Sequence, residues 1–180
     1  GTFNTVLQEA LSALGRIYLQ LSISPKVNSL SSASDVKILK NKAPTIIFKN
    51  VSFSYNKKLN VLDKINFSVD AGSKVALVGQ SGAGKSSIIN LISRFYDPVS
   101  GEICINQQNI KDLNINSLRN NIALVSQDTI IYNKSFLDNI KFGNLKATDK
   151  KIKEAAKNAG IHNFISTSLN GYKTIVGEGG

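Results

Sequence analysis

One glycine-rich octapeptide constrains this chain more than any other feature. It matches the pattern G-x-x-x-x-G-K-[ST] and reads Gly79-Gln80-Ser81-Gly82-Ala83-Gly84-Lys85-Ser86. An apolar segment, 74–78, precedes it, and a segment with apolar residues at helical spacing follows it, up to Asp97-Pro98. A strand, a loop and a helix in this order are the context in which the pattern binds phosphate groups.

The residue types in the octapeptide suit a polyphosphate. Its glycines permit tight turns and close approach of the backbone, so that consecutive N–H groups can surround an anion. A helix that starts near Lys85 adds free N–H groups and the positive end of its dipole. Lys85 is placed to reach the β- and γ-phosphates, Ser86 to ligate Mg²⁺, and Ser87 to add a phosphate contact.

The rest of the chain predicts an α/β fold with an N-terminal extension. Apolar residues at three- and four-residue steps predict an amphipathic helix over 1–21, and a Ser-, Lys- and Asn-rich segment over 22–44 predicts a linker. A domain over 45–180 then alternates strands and helices, which indicates a sheet of the P-loop type. The strands are predicted at 46–53, 65–69, 74–78, 101–105 and 122–125. The later helices are predicted at 113–120, 136–142 and 150–159.

Composition excludes several classes of protein. A net charge of +10 would fit a nucleic-acid or membrane-surface partner, but the lysines are scattered, and we favour a solvated surface with no nucleic acid bound. The single cysteine, Cys104, excludes an internal disulfide and fits a core thiol. No run of about 20 apolar residues is present to span a bilayer. Because the chain lacks methionine even at position 1, we expect a fragment of a longer protein.

Further segments resemble the nucleotide-binding domains of ABC transporters, and within that family the exporter type. They lie in the expected order at 51–55, 61–67, 95–103, 122–128, 135–140 and 171–179. The resemblance implies that Tyr55 stacks on adenine and that Gln127 contacts Mg²⁺ and the attacking water. From the residues alone, each would be interpreted as a residue at a strand end. The turn at 106–110 departs from the family, which usually has a glycine there.

The resemblance also implies an architecture. We expect a P-loop NTPase core with an N-terminal antiparallel β subdomain and the start of an α-helical subdomain, incomplete at its C-terminal side. The 171–179 loop is of the exporter type and implies that Glu178 lies near the transmembrane domains. The helix over 3–21 would continue the last transmembrane helix.

Catalytic parts of the family are not found in the sequence. It contains no Leu-Ser-Gly-Gly-Gln signature and, after the helical region, no apolar strand ending in Asp-Glu. His162 precedes the position expected for the switch histidine, so we expect a surface or capping role. Lys85 and Gln127 supply part of the catalytic charge, but the carboxylate that positions water is missing. We therefore expect this chain to bind ATP without hydrolysing it alone.

The resemblance implies an ATPase half of an exporter. Its partners would be transmembrane domains of the same transporter and a second nucleotide-binding domain, in a homodimer or heterodimer on the cytoplasmic side of the cell (inner) membrane. One alternative is a non-transport ABC ATPase, which the basic charge mildly favours. Another is a catalytically dead relic that binds nucleotide. The transported substrate is not encoded in these residues.

Overall fold

The computed structural model describes residues 2–25, 27–37, 43–56 and 59–177. The chain forms two compact units, Gly1–Ala123 and Leu124–Gly180. The first unit contains α1 (Thr2–Leu21), β1 (Ile46–Phe53), β2 (Leu62–Val69), α2 (Lys85–Ile92), β3 (Ser100–Ile105), β4 (Gln108–Asn109), a 3-10 helix (Ile110–Asp112) and α3 (Ile115–Asn120).

The first unit is built on an antiparallel sheet with the strand order β2-β1-β3-β4. In the central strand β1, Phe48 lies opposite Phe67 of β2 and Ile103 of β3. The rings of Phe48 and Phe67 stack with centroids 4.4 Å apart. Apolar residues of β1 and β3 share one buried cluster with Ile88 and Leu91 of α2, so the hydrophobic effect holds this helix to the sheet.

The turn between β3 and β4 forms without a glycine. Asn106 and Gln107 adopt positive φ angles of 47° and 65°. The Asn106 side chain accepts a hydrogen bond from the Thr45 N–H at 3.0 Å. The backbone N–H of Asn106 donates to the Thr45 carbonyl, also at 3.0 Å. Asparagine tolerates this backbone region better than most residues, and the two hydrogen bonds hold it there.

Two predicted strands are wrong. Residues 74–78 and 122–125 are irregular, and in the described part of the chain neither belongs to a sheet. Val78 is 92% exposed and Val125 is 91% exposed. An apolar segment becomes a strand only where a neighbouring strand takes up its N–H and C=O groups. The antiparallel sheet of this unit ends at β2 and β4 and does not extend to either segment.

The predicted linker contains a docked segment. Ser34 donates its N–H to the Asp112 carbonyl at 3.0 Å and accepts from the Asn114 N–H at 2.8 Å through its own carbonyl. The Val36 N–H donates to the Ser117 hydroxyl at 3.0 Å. These contacts hold residues 34–36 against the start of α3, which composition did not predict. The division into helix, linker and domain at residues 21 and 44 stays a prediction.

The α1 helix confirms the predicted amphipathic segment, and its apolar side chains are exposed. Phe3, Leu14 and Leu21 are 77%, 63% and 80% exposed. Among the described helices, none combines the length and apolar character needed to cross a bilayer.

The second unit is a small helical body with a two-stranded sheet. It contains β5 (Lys134–Ser135), α4 (Phe136–Lys141), α5 (Asp149–Asn158), α6 (His162–Thr167), a 3-10 helix (Gly171–Lys173) and β6 (Ile175–Val176), with β5 and β6 antiparallel. The helices predicted at 136–142 and 150–159 are confirmed, whereas α6 was not predicted. His162 is half-buried, with Nδ1 2.9 Å from the Tyr172 hydroxyl.

Candidate functional site

The loop 79–84 leads directly into the N-terminus of α2. Gly82 and Gly84 have φ angles of +82° and +85°, a backbone region that favours glycine. Gly84 is the N-cap residue of α2, and no side chain caps the helix. The first turn of a helix has N–H groups without partners inside the helix, and here it also contains no acidic residue. The loop therefore presents main-chain donors and a positive dipole end, which fits an anion.

The Lys85 side chain folds back over this loop. Its Nζ donates to the Gly79 carbonyl at 2.8 Å and to the Gln80 carbonyl at 2.6 Å. These bonds place a positive charge beside the loop at the mouth of the helix. The ammonium group and the main-chain donors therefore lie at the same end of α2.

In the structure, Tyr55 lies beside α2, the helix that follows the loop 79–84. Tyr55 follows β1, and its ring packs edge-on against Phe53 and Tyr96, with centroids 4.8 and 5.0 Å away. The Tyr55 hydroxyl lies 2.9 Å from Ser87 Oγ and accepts from Asn90 Nδ2 at 3.3 Å. Because the residue is 45% exposed, part of its surface stays open beside the loop.

The other predicted site residues are either exposed in the first unit or belong to the second unit. Ser81, Ala83 and Ser86 are exposed in unit one. Gln127 belongs to the second unit, where it is exposed in an irregular segment before β5. Glu178 lies outside the described residues.

A cavity of about 370 Å³ adjoins the start of α2 but does not suit a triphosphate. Lys85 and Ser86 contribute to its wall, and the remaining lining is apolar: Phe67, Val75, Leu77, Ile88, Ile89 and Ile92. A polyanion in such a cavity would lose its hydration without gaining enough donors. The loop itself remains the better anion site.

Sequence reasoning missed Asn90 and Tyr96. Asn90 lies one helical turn after Ser86, so its helical position was predictable. Its contact with Tyr55 depends on the packing of the end of β1 beside α2, which no local pattern encodes. Cys104 is buried, as predicted, and burial raises the pKa of its thiol despite the opposing charge of Lys49. This thiol stays protonated at neutral pH and takes no part in the site.

Known proteins resemble this chain over most of its length. A family model described as ABC transporter matches residues 62–178. ABC transporter B family member 13 of Arabidopsis thaliana is 41% identical over 96% of this chain. The ATP-dependent lipid A-core flippase of Desulfotalea psychrophila is 40% identical over 98% of it, and the human mitochondrial iron-sulfur clusters transporter ABCB7 is 37% identical over 100%.

The chain spans a small part of these relatives, between 14% and 30% of their lengths. A solved structure described as a bacterial Atm1-family ABC exporter with ATP bound matches 95% of this chain and 29% of its own, with 36% identity and a TM-score of 0.86. This likeness confirms the mixed α/β fold class predicted from the sequence.

Proposed function

This chain belongs to the ABC transporter family, and from that premise we propose that residues 79–87 bind the phosphates of ATP together with Mg²⁺. One observation carries the proposal. The N-cap residue of α2 is Gly84, so no side chain caps the helix, and the Lys85 ammonium lies within 2.8 Å of two loop carbonyls beside that helix end. Main-chain donors and a compact cation at one place are what a triphosphate requires.

Each predicted residue has a role in this proposal. The main chain of Gly79, Gln80, Ser81, Gly82, Ala83 and Gly84 surrounds the phosphates, and Lys85 neutralises their charge. The ring of Tyr55 offers a face to adenine, because any base can stack on an aromatic side chain.

The hydroxyl of Ser86 and the amide oxygen of Gln127 are the oxygen ligands proposed for Mg²⁺. Magnesium prefers oxygen donors and keeps several of its waters, so one or two protein ligands beside phosphate oxygens suffice. Ser86 is exposed at the second position of α2 and is therefore accessible to an ion. By the resemblance to ABC transporters, Gln127 would also contact the water that attacks the γ-phosphate.

For the whole protein we propose ATP-driven export across a membrane. The relatives are named for different cargo, lipid A-core in one and iron-sulfur clusters in another. Because these relatives share this region, we infer that it supplies energy and that cargo is recognised elsewhere. The proposed partners are transmembrane domains of the same transporter and a second nucleotide-binding domain. We place this domain on the cytoplasmic side of the cell membrane, which protease accessibility in right-side-out and inverted membrane vesicles tests.

We further propose that this 180-residue chain binds ATP without turnover. Lys85, Ser86 and Gln127 provide charge stabilisation, whereas attack on the γ-phosphate also needs a positioned water and a carboxylate to orient it. A phosphate-release assay is expected to stay at background. Release above background that disappears in Lys85→Ala would contradict this proposal.

The substitution Lys85→Ala tests nucleotide binding. It removes the cation from the phosphates and is expected to weaken ATP binding by about 2–5 kcal/mol. Lys74→Ala is the matched control, because Lys74 is an exposed lysine of the same unit outside the loop. Equilibrium titration of ATP measures both variants. An unchanged dissociation constant in Lys85→Ala would remove this residue from the site.

A further inference from the structure

Three polar side chains form a chain of hydrogen bonds beside the loop 79–84. Asn90 Nδ2 lies 3.3 Å from the Tyr55 hydroxyl, which lies 2.9 Å from Ser87 Oγ. An amide nitrogen can only donate, so the Tyr55 oxygen is the acceptor in the first bond. The Tyr55 hydroxyl keeps its own proton, and either hydroxyl can be the donor in the second bond.

When Tyr55 is the donor in the second bond, the Ser87 proton remains for another acceptor. Within the described residues, the Ser87 hydroxyl has one hydrogen-bond partner in the structure, Tyr55. The side chain is 4% exposed and belongs to the first turn of α2, where the helix has no side-chain cap. A buried hydroxyl proton at such a place needs an acceptor, and an anion at the helix end provides one.

We propose that Asn90 is a positioning residue for the phosphates: through the Tyr55 hydroxyl it fixes the Ser87 hydroxyl as a donor to a phosphate oxygen. The inference rests on the proposed function of the loop. Asn90 itself does not touch the ligand. The bond from Asn90 occupies one acceptor position of the Tyr55 oxygen and so favours donation by Tyr55 over acceptance from Ser87. Without that bond, the Ser87 proton can turn towards Tyr55 and away from the phosphates. Hydrogen bonds in a chain also polarise one another, which makes Ser87 a stronger donor.

The proposal gives Tyr55 a second role. Stacking on a base uses the ring alone, whereas the bond to Ser87 uses the hydroxyl. A ligand without a base separates the two roles. Inorganic tripolyphosphate with Mg²⁺ has the phosphates and no adenine, so its affinity should depend on the Tyr55 hydroxyl if the chain of hydrogen bonds serves the phosphates.

The test measures the affinity of the 180-residue chain for Mg²⁺-tripolyphosphate and Mg²⁺-ATP. Asn90→Leu and Tyr55→Phe are each expected to weaken binding of tripolyphosphate about two- to tenfold, the size of one lost hydrogen bond. In a Ser87→Ala background, neither substitution should have a further effect, because the donor that they orient is gone. Tyr55→Phe keeps the ring that packs on Phe53 and Tyr96, so the fold is retained.

Matched controls make the same chemical changes in the second unit. Tyr132→Phe and Asn158→Leu should leave both affinities unchanged; Asn158 is an exposed residue of α5. Unchanged tripolyphosphate affinity in Asn90→Leu and Tyr55→Phe would overturn the inference, as would equal losses with and without the Ser87 hydroxyl. If the wild-type chain binds neither ligand, the proposed function fails and the inference fails with it. Binding by the wild type without the expected coupling removes the inference alone.

Discussion

At the scale of single residues, Gly84 meets two separate demands at the start of α2. Its φ of +85° lies in the region that side chains with a Cβ rarely adopt. A Cβ at this position would also lie 2.6 Å from Leu62 Cδ2 and 3.2 Å from the Val61 carbonyl oxygen. Leu62 is 3% exposed, so it has little room to move away. The close approach of the loop to β2 therefore requires glycine.

Gly84→Ala is expected to lower the free energy of unfolding by about 2–4 kcal/mol, from backbone strain together with the contact with Leu62. Gly82→Ala separates the two causes. Gly82 has a φ of +82°, but no atom of the described residues lies within 4 Å of the position of a Cβ, so this variant should lose only about 1–2 kcal/mol. Urea unfolding followed by circular dichroism measures both variants. Equal losses would show that the contact with Leu62 contributes nothing.

The parts of the candidate site that depend only on neighbouring residues were predicted from the sequence. The octapeptide contains its own glycines, its cation and its helix start, so the loop geometry followed from the residues. The contact between Tyr55 and Ser87 joins positions 32 residues apart. It depends on how β1 packs on α2, and only the resemblance to a family placed Tyr55 at the site.

At the scale of elements, α2 ends earlier than predicted because its last turn closes on itself. The Arg94 N–H donates to the Leu91 carbonyl at 3.0 Å, and the Phe95 N–H donates to the Asn90 carbonyl at 2.9 Å. This is the Schellman arrangement, which usually has glycine at the left-handed position. Here Arg94 occupies it, with a φ of 50°. No glycine lies between Lys85 and Asp97 to signal this end of the helix.

Buried contacts hold Arg94 in this backbone conformation. Its side chain is 3% exposed and pairs with Asp97 at 3.1 Å. It also donates to the Leu113 carbonyl at 3.0 Å and to the Asn28 carbonyl at 3.2 Å. Arg94 therefore joins the end of α2 to the start of α3 and to the segment that was predicted as a linker.

Arg94→Ala is expected to destabilise the chain by about 2–4 kcal/mol, because it leaves Asp97 and a buried carbonyl without their donor. Arg94→Gly loses the same contacts but suits the positive φ, so it should be more stable than the alanine variant by about 1 kcal/mol. Arg16→Ala, on the exposed surface of α1, is the control and should change stability by less than about 0.5 kcal/mol. Thermal unfolding of the three variants measures this order. A loss in Arg94→Ala no larger than that of the control would contradict it.

The two wrongly predicted strands show which property of an element the sequence did not predict, namely its pairing with another segment. Residues 46–53 and 101–105 were predicted as strands and are confirmed, because each finds a hydrogen-bonding neighbour in the antiparallel sheet. The segments 74–78 and 122–125 are as apolar as these two strands. In the ranges that the structure describes, however, no hydrogen-bonding strand lies beside either of them. Hydrophobicity indicates which segments should be buried, but a strand also depends on a second segment elsewhere in the chain.

At the scale of the whole molecule, the fold is shared with proteins whose named cargo differs. The relatives match nearly all of this chain, while the chain covers at most 30% of the relatives cited. A shared fold does not by itself assign an activity, which has to be argued from the site. The proposed ATP site therefore depends on the loop 79–84 and on α2, where the main-chain donors and Lys85 lie together.

The most direct test locates the phosphates. A crystal structure of this chain with Mg²⁺ and a non-hydrolysable ATP analogue should place them within hydrogen-bond distance of the main-chain N–H groups of residues 82–87. The Lys85 ammonium should then have left the Gly79 and Gln80 carbonyls, which it now contacts at 2.8 and 2.6 Å, for the phosphate oxygens. Phosphates bound elsewhere, with Lys85 still on those carbonyls, would contradict the account.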